Sequence, residues 1–156
     1  MEPVTVRAAG PADAAGLYRL MCGLAENQGE AAYLAATPAS LAEALAAEPP
    51  AFGCLLAERD GRAVGYLTWV RCYGIWRGAD YLNLDDLFVD ESLRGLGAGA
   101  ALMRRFGQLA SEQGIGARWE VQSDNLGARR FYARLGADQE DKTIVRWSVA
   151  AMRSSD

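Results

Sequence analysis

The run Arg94-Gly-Leu-Gly-Ala-Gly99 constrains this chain more than any other feature, because of what lies on either side of it. Before it, Tyr81 to Val89 (YLNLDDLFV) is apolar and β-prone. After it, Ala98 to Glu112 repeats apolar residues at helical spacing. A strand delivered into a helix through glycines leaves the first helical N–H groups without acceptors, at the positive end of the helix dipole. Such an end suits a phosphate or pyrophosphate, and glycines let oxygens approach the backbone. Taken alone, the run is equally compatible with a plain strand-to-helix connection. No Gly-Lys-Ser/Thr follows it, so it is not a Walker loop, and its spacing departs from the dinucleotide-binding fingerprint.

The rest of the chain reads as one domain over residues 1–156, of ordinary globular composition with 51% hydrophobic and 23% charged residues. Val4 to Ala8 predicts a strand. Leu17, Leu20, Met21 and Leu24 then give a helix after Gly10-Pro-Ala-Asp13. Residues 26–39 read as a loop. Ser40, with Glu43 three residues on, predicts the cap of a short helix over Leu41 to Ala47. Phe52 to Glu58 and Ala63 to Arg71 form a hairpin about Asp60-Gly61, and Cys72 to Asp80 is a loop. Past the glycine turn, Ala117 to Val121 and Thr143 to Val149 predict strands, and Asn125 to Leu135 a helix closed by Gly136. Strands in a mostly antiparallel order with inserted helices make an α+β sheet domain.

Composition excludes several chemistries. There is no histidine, which removes Ser-His-Asp and Cys-His catalysis and most transition-metal sites. Cys22, Cys54 and Cys72 fit neither a disulfide framework nor a zinc site and read as small buried hydrophobes. A net charge of −4 disfavours nucleic acid and suits a cationic partner. No run approaches the ~20 apolar residues of a membrane span. Met1-Glu-Pro-Val-Thr-Val-Arg7 has no basic stretch followed by an apolar one, so a cytoplasmic protein without membrane association is expected.

Arg94-x-x-Gly97-x-Gly99 after a strand resembles the acetyl-coenzyme A motif of the GNAT family of N-acetyltransferases. The stretch Trp119-Glu-Val-Gln-Ser-Asp-Asn-Leu-Gly-Ala-Arg-Arg-Phe-Tyr-Ala-Arg-Leu-Gly136 resembles the second half of that family's cofactor site. The resemblance covers nearly the whole chain. It is closest to the diamine (spermidine/spermine) acetyltransferase branch, which has Leu-Glu-Asp before Phe-Val. It implies a mixed, mostly antiparallel sheet of six to seven strands with about four flanking helices, and acetyl-coenzyme A as acetyl donor without a metal. It implies cofactor contacts from the turn residues Arg94, Gly95, Leu96 and Gly97 and the first helical residues Ala98, Gly99 and Ala100. Bulged-strand backbone at Leu87, Phe88 and Val89 would add to these, as would Asn125 and Ala128. A homodimer is expected.

Asp85 and Asp86 interrupt an apolar strand. They are either solvated acids at a sheet edge or a pair wanting a cationic amine, since burying an unpaired carboxylate is costly. The resemblance makes Asp85 a candidate base, directly or through water, although it is one methylene shorter than the branch's glutamate. Tyr132 would be ordinary packing in an arbitrary Phe-Tyr pair, but here it matches the family tyrosine that faces the coenzyme sulfur. A phenol titrating near pH 10 can protonate a leaving thiolate. Trp76 matches a tryptophan of the diamine branch and offers a face for an ammonium. Gly74 stands where that branch has an aspartate, and Arg77 adds positive charge, so the longest polyamines are disfavoured. Glu26 and Glu120 are further candidate amine contacts. The expected activity is direct acetyl transfer to a primary amine of a small molecule. The alternatives are acetylation of a protein amine and a non-catalytic acyl-coenzyme A-binding domain.

Overall fold

In the computed structural model, which describes residues 2–155, the chain divides into two compact units, with the boundary between Trp119 and Glu120. The first unit is built on five strands in spatial order β1 (Thr5–Ala8), β2 (Gly53–Arg59), β3 (Arg62–Gly74), β4 (Ala79–Val89) and β5 (Gly116–Arg118). The first three pairings are antiparallel, and β4 pairs with β5 in parallel. The α+β class stands, with five strands rather than the six or seven expected.

Three helices cover this sheet: α1 (Ala14–Asn27), α2 (Pro38–Ala46) and α3 (Ala98–Glu112). The two-residue period of the strands sorts their side chains. Cys54, Leu56, Tyr66 and Phe88 meet Leu17 and Leu20 of α1 and Leu41 and Leu45 of α2. The neighbours Leu55, Leu67 and Trp69 face the other way, where the Trp69 ring packs tilted against Phe106 of α3, centroids 5.6 Å apart. Trp69 reaches that position across its register partner Gly53, where any Cβ would fall against the indole.

Local chemistry explains where the elements begin. The β2–β3 turn is Asp60-Gly61 with φ of 49° and 72°, the left-handed pair that a two-residue hairpin requires. Arg7 of β1 reaches both Asp13, ahead of α1, and Glu58 of β2 at 2.7 Å. That guanidinium, together with the Gly10 N–H, holds the Asp13 carboxyl down to about 2. The α2 expectation needs correcting. Thr37, not Ser40, is the N-cap, with Pro38 as the first helical residue, and Ser40 completes the box from inside the helix. The loop expected over 72–80 shrinks to the turn 75–78, because β3 and β4 stay paired as far as Gly74 and Ala79.

The second unit holds α4 (Leu126–Arg134) and α5 (Val149–Arg153). Asn125 caps α4 by accepting from the Ala128 N–H at 3.1 Å, and Gly136 follows it at φ 85°, as expected. Arg129 and Gln139 close this unit through paired bonds of 3.1 and 2.8 Å. The strand expected over 143–149 does not form. Val145 and Trp147 are exposed there without a ladder partner, and β-propensity is realised only against a neighbouring strand. The strand expected over 117–121 is reduced to Gly116–Arg118, the part that lies beside Tyr81–Asn83 of β4.

Candidate active site

The site in the first unit starts from an irregularity in β4. Thr68 of β3 pairs with Asp86 while its neighbour Trp69 pairs with Leu84, so Asp85 is an extra residue. That is a β-bulge, and it re-aims everything after it. Leu84 and Leu87 end on the α3 side of the sheet, opposite Trp69 and Leu67. Asp86 and Phe88 end on the α1 side, opposite Thr68 and Tyr66. Asp85 itself is exposed at the bulge. Sequence reasoning expected two acids in an apolar strand; the structure separates them by environment.

Asp86 is the half-buried member. Burial pushes its carboxyl above the usual carboxylate range, the charge of Asp85 adds to that rise, and the Tyr66 hydroxyl opposes it. Next along the same face lies a cleft of ≈ 370 Å³, lined by Phe88 and Asp90 from the strand end and by Gly23, Glu26 and Asn27 of α1. A Cβ at Gly23 would come within 3.2 Å of the Phe88 ring, so glycine keeps α1 close to the strand here. Glu26, one of the expected amine contacts, therefore lies on the cleft.

The other edge of β4 is open. β5 pairs only with residues 81–83, so from Leu84 to Val89 no strand lies along that edge among the described residues. This places the expected Leu87, Phe88 and Val89 on backbone with a free side. The edge leads into Asp90, which caps the next turn by accepting from the Ser92 N–H and Oγ. The glycine turn follows. Gly95 and Gly97 have φ of 83° and 81°, conformations that a Cβ resists, and no protein atom lies within 4 Å of where either Cβ would stand. Gly97 is the N-cap of α3 and supplies no side chain to it. The first intrahelical bond runs from the Ala101 N–H to the Gly97 carbonyl. The N–H groups of Ala98, Gly99 and Ala100 precede it and face outward from the helix end.

Arg94 is held at the mouth of the turn. It pairs with Glu91 at 3.5 Å, and Asn27 joins them. The Asn27 amide nitrogen donates to Glu91 Oε1 at 3.0 Å, and its oxygen accepts from Arg94 at 2.8 Å. Sequence reading missed Asn27, Glu91 and Asp90, which lie far apart or in an unremarkable stretch. Only the fold brings α1 to the glycine turn.

Trp76 is not brought to the acids within this chain. It is fully exposed at the tip of the β3–β4 hairpin beside exposed Tyr73 and Ile75. Six register pairs, Trp69–Leu84 to Gly74–Ala79, separate it from the bulge. At about 3.3 Å per residue that is roughly 20 Å. In the second unit, Tyr132 is half-buried on α4 with its ring 5.5 Å from that of Phe131. Burial pushes its phenol above 10, so it carries its proton at neutral pH. Asn125 and Ala128 are joined by the capping bond, and Glu120 is exposed at the unit's start.

A bulged strand with one open edge runs here into a helix end whose outward N–H groups suit a phosphate. Residues 16–137 match the acetyltransferase (GNAT) family model, and the chain belongs to that family of acetyl-coenzyme A-dependent N-acetyltransferases. It is 27% identical over 166 aligned residues to thialysine N-epsilon-acetyltransferase of Bos taurus, covering 98% of this chain and 97% of that one. It is 29% identical over 117 residues to human spermidine/spermine N(1)-acetyltransferase-like protein 1, covering 70% of this chain and 17% of the other. In fold it matches an aminoglycoside acetyltransferase from an uncultured soil metagenomic sample. The TM-score is 0.79 at 18% identity, over 94% of this chain and 99% of that one.

Proposed function

We propose that this acetyltransferase acts on a primary amine of a small cationic molecule, and that the bulged acid pair Asp85–Asp86 receives that amine. The observation that carries the reading is the bulge itself. It sets two carboxylates where one edge of β4 opens and the strand leads to the anion-binding end of α3. The relatives whose printed names specify thialysine and spermidine/spermine support an amine acceptor of this class.

In this reading the ammonium is drawn to Asp86 and loses its proton to Asp85, directly or through water. The free amine attacks the thioester carbonyl, with the C–N bond forming as the C–S bond breaks. Backbone N–H groups of the open β4 edge steady the carbonyl oxygen, Tyr132 gives its proton to the departing thiolate, and the second proton shed by the acylated nitrogen restores Tyr132 through water. Glycine-turn N–H groups hold the pyrophosphate, and Asn125 and Ala128 contribute further cofactor contacts. Glu26 and Glu120 extend the negative field toward the acceptor. No cysteine lies in either motif, so direct transfer is preferred to a covalent intermediate. The proposal includes a cytoplasmic homodimer, in keeping with three unpaired cysteines and with the exposed Tyr73, Ile75 and Trp76 that a second copy would cover. No helix is long and apolar enough to cross a membrane among the described residues.

The acceptor's length is the testable point. Gly74 and Arg77 stand at the far end of the hairpin, beyond the reach of a compact acceptor held at the bulge, and a polyamine long enough to reach them would meet no acid at Gly74 and the positive charge of Arg77. A lysine-like amine or short diamine should therefore exceed spermine in kcat/KM. Asp85→Asn should lower turnover of the preferred amine and shift its pH dependence upward, because more of the amine must deprotonate unaided. A spermine preference of tenfold or more, about 1.4 kcal/mol of transition-state binding, would refute the reading of Gly74 and Arg77.

A further inference from the structure

Tyr66 is among the most deeply buried side chains, with 1% of its surface exposed, and its hydroxyl makes no hydrogen bond of full geometry to any described residue. An orphaned buried phenol is unusual, because phenylalanine would fill the same space without leaving a polar atom dry. Its register explains where the hydroxyl points. Tyr66 pairs across the sheet with Phe88, and the next residue on that face of β4 is Asp86, opposite buried Thr68. A long side chain reaches such a diagonal neighbour. Tyr66 and Asp86 shift one another's titration, which puts the two groups in interaction range although the bond is not fully formed.

We propose that Tyr66 is a positioning residue for acetyl transfer: its buried hydroxyl is the donor that holds the Asp86 carboxylate for capture of the acceptor ammonium. This rests on the reading of the bulge acids as the acceptor site. Thr68 carries the other nearby hydroxyl, but of the two it is Tyr66 that acts on the Asp86 carboxyl. Asp85, on the same strand, is a like charge that opposes ionisation of Asp86. Cys54 of β2 has its thiol pushed up to about 12 by burial and stays neutral. On α1, Tyr18 interacts with Cys22, Arg19 pairs with Asp90, and Glu26 adds negative charge on the cleft. Glu43 of α2 is exposed. The tyrosine hydroxyl alone favours the charged form of Asp86, so its removal must raise the Asp86 pKa further.

The test is Tyr66→Phe. Carboxyl carbon NMR on the ligand-free protein, with Asp86→Asn to assign the resonance, follows Asp86 directly. pH profiles of kcat/KM for the preferred amine follow the consequence. The protein should stay folded, because the ring and its packing are retained, as a thermal melt would show. The Asp86 midpoint should move to higher pH, the acidic limb of kcat/KM should move with it, and KM for the amine should rise roughly tenfold at constant kcat, as for losing one hydrogen bond to a charged group. An unmoved Asp86 midpoint overturns the role of Tyr66. A midpoint that moves while the acidic limb stays in place overturns instead the reading of Asp86 as part of the acceptor site.

Discussion

Gly97→Glu should leave a folded protein whose affinity for acetyl-coenzyme A falls by about two to four orders of magnitude, the effect of losing two or more hydrogen bonds to a charged group. The reasoning starts from the backbone. Gly97 sits at φ 81° at the head of α3, and a Cβ there would meet no protein atom within 4 Å. The strain is that of one left-handed residue, about 1–2 kcal/mol, which a domain of this size tolerates. The new carboxylate would lie at the positive end of the helix dipole, where it favours the helix itself. It would also occupy the space outside the Ala98, Gly99 and Ala100 N–H groups and repel the pyrophosphate. Calorimetric titration with a thermal melt alongside separates the two effects. Unchanged affinity in a folded Gly97→Glu protein would remove the glycine turn from the cofactor site.

Tyr132→Phe should behave in the opposite way, with binding retained and turnover lost. The substitution deletes one hydroxyl and keeps the ring against Phe131. Because burial holds the phenol above its ordinary value, it is a protonated donor throughout the working pH range rather than a base. Losing a general acid typically costs ~10²–10⁴ in rate. The fall belongs in kcat, measured by thiol release when chemistry limits turnover. Wild-type turnover would leave Tyr132 a packing residue.

What the sequence disclosed follows from how local each signal is. The boundaries of α3 agree with expectation because glycine punctuation and helical periodicity act over a few residues. The β2–β3 turn was legible for the same reason, since Asp-Gly at its centre supplies both positive φ values. The bulge was expected from the family resemblance, but its position at Asp85 was not. A bulge is a register between two strands, and no single strand encodes it. That missing register hid Tyr66, which reads in its own strand as an ordinary core residue. Placing it beside Asp86 requires the offset that Asp85 introduces. The strand expected over 143–149 failed differently: alternating β-formers with no partner edge do not form a ladder. Trp76 was expected to contact the amine because it matches a tryptophan of the diamine branch, and it lies nine positions from Asp85 in sequence. An antiparallel hairpin turns that separation into length.

The central claim is direct acetyl transfer to a small primary amine, and product analysis tests it most directly. Purified protein is incubated with acetyl-coenzyme A and, separately, lysine-like amines, short diamines, spermine, aminoglycosides and peptides. Released thiol is measured alongside acetylated product by mass spectrometry. The account predicts one acetyl amide on a primary amine for each thiol released, fastest with a compact cationic acceptor. Tight binding of acetyl-coenzyme A with no amine-dependent thiol release would contradict it and favour a binding domain. Acetylation confined to peptides would contradict the small-molecule assignment.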